Sequence, residues 1–96
     1  MTREKCLELA CEATGGKRTT DYGTPEDNFS KIADLWTAYL NYDVSTIDVA
    51  MMMALLKVAR VKGAAHRPSD DCFVDLAGYA ACACEINNAY EAHIEV

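Results

Sequence analysis

Four stretches of the chain carry apolar residues at helical spacing, and turn signals separate them. Leu7, Ala10 and Ala13 share a face with Arg3 and Glu4 opposite, which predicts a helix over about 2–14, stopped by Gly15-Gly16. The polar run Lys17 to Thr24 reads as a loop. Thr24 is then a good N-cap, Pro25 suits the first helical position, and Glu26 and Asp27 suit the positive end of the helix dipole. Phe29, Ile32, Ala33, Trp36, Tyr39 and Leu40 follow as one amphipathic stripe, predicting a helix over about 25–40.

Asn41-Tyr42-Asp43 makes a turn, and Ser45 with Asp48 three residues on is a capping-box pattern opening a helix over about 46–62. Every residue from Val49 to Leu56 is apolar. A helix apolar all round wants cover all round, and three neighbours in a small domain can hardly supply it. The third helix or its neighbour is therefore expected to pack against another subunit as well. Gly63 to Pro68 is a loop, Ser69 caps a last helix over about 70–90, and the tail from Glu91 is expected to fray. The pattern predicts an all-α, four-helix bundle in a homo-oligomer.

Length and charge narrow the function. A chain of 96 residues fits one domain. The net charge of −6 argues against general nucleic-acid binding, which needs a basic surface. No stretch reaches the roughly 18 apolar residues of a membrane span, and no signal peptide is evident, so a cytoplasmic location is expected. The five cysteines, Cys6, Cys11, Cys72, Cys82 and Cys84, match no zinc pattern and read as small buried apolar residues.

Three groups of residues could carry chemistry. Asp71 and Asp75 stand four apart on one helix face, within reach of one cation. Asp71 is explained as a first-turn acid; Asp75, between Val74 and Leu76 in a core-like stretch, needs a partner. That partner is a metal such as Mg²⁺, a cation (Arg60, Lys57 or Arg18), or the end of a neighbouring helix that Asp75 caps. Glu26 and Asp27 form a second acidic group, which helix-dipole charge explains for either alone. The third group is basic: Lys17, Arg18, Lys57, Arg60, Lys62, His66 and Arg67, at one end of an up-down bundle. Cations near carboxylates suit a triphosphate–metal complex, and solvated loop charge explains them as well. His66 and His93 read as surface residues, and Gly15-Gly16-Lys17-Arg18 is not a phosphate-binding P-loop.

The strings Tyr22-Gly23-Thr24-Pro25-Glu26-Asp27-Asn28-Phe29, Ile32-Ala33-Asp34-Leu35-Trp36, Asp48-Val49-Ala50-Met51-Met52 through Arg60, and Asp70-Asp71-Cys72-Phe73-Val74-Asp75-Leu76-Ala77-Gly78-Tyr79 closely resemble an uncharacterised family of small helical proteins from tailed phages. The resemblance covers nearly the whole chain and places its work inside a bacterial host. More distantly the chain resembles the MazG-type all-α nucleoside triphosphate pyrophosphohydrolases. Those hold Mg²⁺ on a glutamate pair and a later Glu-x-x-Asp pair. Asp75 stands where that final aspartate would. Cys72 replaces the acid three residues before it, and the earlier glutamate pair has no clear counterpart.

Three functional expectations follow, the last being a purely structural helical oligomer. One is a metal-dependent (d)NTP pyrophosphohydrolase, with Asp71, Asp75 and Glu26 on Mg²⁺ and Arg18, Lys57 and Arg60 on phosphates. The second is a non-enzymatic phage accessory or anti-defence protein that binds a nucleotide or a host defence protein.

Overall fold

In a computed structural model of the chain, residues 1–15 and 23–94 are described, with side chains as far as 88. Four α-helices and no strands make up the described residues: α1 (Arg3–Thr14), α2 (Pro25–Leu40), α3 (Thr46–Lys62) and α4 (Asp70–Ile94). Local chemistry marks each start. Thr2 Oγ1 accepts from Lys5 N–H at 3.1 Å, and Thr24 Oγ1 accepts from Asp27 N–H at 3.1 Å. At α3 the capping box is complete: Asp48 N–H donates to Ser45 Oγ and Ser45 N–H to Asp48 Oδ2, both at 3.0 Å. Asp71 N–H donates to Ser69 Oγ at 3.2 Å ahead of α4.

α4 is the hub of the molecule, packing extensively on α3, then on α1, and more lightly on α2; α2 leans mainly on α3. The core gathers Phe29 and Ala33 from α2, Val49 and Ala50 from α3, and Cys82 and Ile86 from α4. Small residues at Ala50, Ala54, Gly78 and Cys82 let the helices come close. Between α2 and α3 the chain is pinned by one hydroxyl. Thr37 Oγ1 accepts from Val44 N–H at 2.9 Å and donates to Val44 O at 3.3 Å. Asn41 adopts the left-handed conformation (φ 51°) that ends α2.

Four expectations are corrected. Tyr39 and Leu40 continue the α2 stripe in sequence, but Tyr39 is 88% exposed and Leu40 is exposed too. They sit in the last turn, past the core that Phe29, Ala33 and Trp36 reach. On α1 the inward side carries Cys6, Leu9, Ala10 and Thr14, with Thr14 against Gly78 of α4, and Leu7 faces solvent. Of the cysteines only Cys82 is buried; Cys11 and Cys84 are exposed and Cys6 and Cys72 half-buried. α4 extends to Ile94 rather than ending near residue 90, since no glycine or proline stops it after Pro68 except the interior Gly78. The side chain of His93 lies outside the described residues.

Candidate functional site

A cleft of about 240 Å³ opens where α1, α2 and α4 meet. The end of α1 brings Ala13 and Thr14, and the start of α2 brings Pro25, Asn28 and Phe29 behind Gly23. α4 supplies Val74, Asp75, Gly78, Tyr79 and Cys82, the side facing α1 and α2. Phe29 and Tyr79 form a tilted aromatic pair, ring centroids 6.2 Å apart at 35°. Gly78 forms part of the floor because α1 comes close there. A Cβ at this position would sit 3.1 Å from Thr14 Cγ2. The Thr14 hydroxyl is itself held, donating to Ala10 O at 2.9 Å. Gly23, at the rim, has φ 83°, a backbone conformation that suits glycine.

Asp75 is the one carboxylate on this lining among the described residues. Its Oδ2 lies 2.8 Å from Lys57 Nζ of α3. The expectation of a buried carboxylate is corrected in an informative way. The Asp75 side chain is 39% exposed, while that of Lys57 is 12% exposed. The charge that α3 and α4 enclose is the lysine, and the aspartate neutralises it from the cleft wall. Asp75 keeps a second oxygen and a share of solvent, so it can still meet a ligand.

The other sequence candidates fall elsewhere. Asp71 is exposed in the first turn of α4, one turn before Asp75 and off the lining. Glu26 is exposed in the first turn of α2, beside Pro25 but also off it. Arg60 is exposed near the end of α3. Arg18 and Lys17 lie outside the described residues. Among the described residues no three His, Cys, Asp or Glu side chains gather closely enough to hold a metal ion, so Asp71, Asp75 and Glu26 do not form a three-acid centre within one chain. Thr14 and Tyr79 carry no chemical signal in the sequence, and Phe29 reads there only as core. The available signal was Gly78: a glycine inside a helix marks a close approach, and clefts form beside close approaches.

With this geometry in view, the relatives are informative. A family model described as a domain of unknown function, DUF6378, matches residues 5–87. The chain belongs to that family. It is 44% identical over 92 residues to the Gene 55 protein of Mycobacterium phage D29, covering 96% of this chain and 58% of that protein. It is 43% identical over 76 residues to the Gene 55 protein of Mycobacterium phage L5, covering 77% of this chain and 47% of that protein. The chain thus spans about half the length of these relatives. No solved structure matches it significantly. The match to residues 5–87 takes in the whole described cleft, from Ala13 to Cys82, so the site belongs to the shared DUF6378 domain. This places the chain in an uncharacterised protein family with phage members. No described helix is long and apolar enough to cross a membrane.

Proposed function

We propose that this domain is a small-molecule binding module whose cleft takes a single nucleotide. The observation that carries the reading is the juxtaposition on one lining of an aromatic wall (Phe29 and Tyr79), an amide (Asn28) and a carboxylate held by Lys57. A nucleobase needs those three things: a flat apolar surface against its ring, and donors and acceptors for its edge. Asn28 can donate and accept, while Asp75 accepts through the oxygen that Lys57 leaves open. Ligand pockets run roughly 300–1,000 Å³, so a cleft of about 240 Å³ suits one base with its sugar rather than a dinucleotide.

A metal-dependent pyrophosphohydrolase is the second reading, favoured by the position of Asp75 on the cleft and of Asp71 one turn before it. Mg²⁺ is often held by one or two carboxylates together with substrate phosphates. The acids fit an ion delivered with the nucleotide better than a resident one. Arg60 and Arg18 remain the phosphate partners of that reading; Lys57 is engaged by Asp75.

One experiment separates these readings. The protein is incubated with mixed NTPs and dNTPs, with and without Mg²⁺, and binding and pyrophosphate release are followed together. Binding without turnover, weakened about tenfold or more by Asp75→Asn, is the expected result. Mg²⁺-dependent pyrophosphate release abolished by Asp75→Asn would establish the hydrolase instead. Absence of both binding and turnover would overturn the nucleotide reading and favour a protein target.

A further inference from the structure

We infer that two copies of this chain pair through the outer face of α3, antiparallel, about a two-fold axis at Leu55. The inner face of α3 is used: Val49, Ala50 and Ala54 are buried and Lys57 reaches Asp75. The opposite face is left bare. Leu55 is 63% exposed, and Met51, Met52 and Val58 are each close to half exposed. With 3.6 residues per turn, Asp48, Met51, Met52, Val58, Ala59 and Lys62 all fall within about 60° of Leu55 around the helix. Five apolar residues thus form one stripe, with an exposed acid at its N-terminal end and an exposed base at its C-terminal end.

The stripe sets unlike residues at equal distances on the two sides of Leu55. Asp48 and Lys62 are each seven residues from it, Met51 and Ala59 each four, Met52 and Val58 each three. Laid antiparallel on its own copy, the helix sets Leu55 on Leu55 and large Met51 against small Ala59. Met52 meets Val58, and Asp48 meets Lys62 at both ends. Size and charge are complementary in one register, which is what an isologous two-fold interface requires. Antiparallel helices also oppose their dipoles favourably. Asp48 spends one oxygen on its Ser45 cap and keeps its charge and its other oxygen. A heterologous partner would have no need of this match of acid to base and large to small about one residue. The pairing face lies across α3 from Lys57, so this inference stands apart from the nucleotide reading.

Sedimentation equilibrium on the wild-type chain and on Leu55→Lys and Leu55→Glu tests the pairing, with far-UV circular dichroism as the control for folding. The wild type is expected to be dimeric. Each variant alone places like charges on the axis and should raise the dimer Kd on the order of a hundredfold. Mixing the two variants should restore the dimer, because only a residue that meets itself is rescued this way. A monomeric wild type would overturn the inference. So would a Leu55→Lys protein that dimerises like wild type, or a mixture of folded variants that stays monomeric.

Discussion

Lys57 and Asp75 share one ion pair but not one environment. Lys57 lies between α3 and α4 with little solvent, whereas Asp75 looks into the cleft. Removing one partner of an enclosed pair leaves the other charge uncompensated, and the penalty depends on how well the survivor can hydrate. Asp75→Ala strands the enclosed lysine and should lower stability by about 1–3 kcal/mol, the figure reduced for the exposure that remains. Lys57→Met leaves Asp75 to water, fills similar space, and should cost less than about 1 kcal/mol. Urea unfolding midpoints of the two variants check this ordering; a larger loss for Lys57→Met would reverse the assignment of the enclosed charge. The sequence could show that Asp75 needed a partner, since a carboxylate between Val74 and Leu76 stands out. It could not show which partner, because Lys57, Arg60 and Arg18 differ there only in sequence position.

Among the elements, the caps and turn residues were the most legible, because each acts on its own neighbours. Thr24-Pro25 opens α2 and the Ser45–Asp48 box opens α3 through contacts three residues long. Helix faces were less legible, because a face is set by what packs on it. Leu7 and Tyr39 fit apolar stripes and are exposed, while Thr14, a polar residue, turns to Gly78. The α1–α4 approach can be tested there. Gly78→Ala gains about 0.5–1 kcal/mol of helix propensity. It also forces a methyl against Thr14 Cγ2, whose position the Ala10 hydrogen bond holds. Overpacking costs about 1–3 kcal/mol, so the net change should be a loss of roughly 1 kcal/mol. Thr14→Ser removes the opposing methyl, and the double variant should recover at least the wild-type stability. Thermal unfolding of the four proteins reads the coupling. A Gly78→Ala variant more stable than wild type would mean that α1 is free to yield.

In the whole molecule, α3 joins two jobs on opposite faces. Its inner face completes the core and braces Asp75; its outer face carries the self-complementary stripe about Leu55. The all-apolar run from Val49 to Leu56 already signalled more cover than one small domain supplies, and the structure shows where that cover is lacking. The cleft was not legible in the same way. It is assembled by three helices distant in sequence, and nothing local to Thr14, Asn28 or Tyr79 shows that they meet. Nucleotide binding beside Asp75 is tested most directly by amide NMR of the full chain titrated with a nucleotide. Saturable shifts concentrated at residues 13–14, 28–29 and 74–82, weakened by Asp75→Asn, are expected. Shifts confined to the outer face of α3, or no shifts at all, would contradict it.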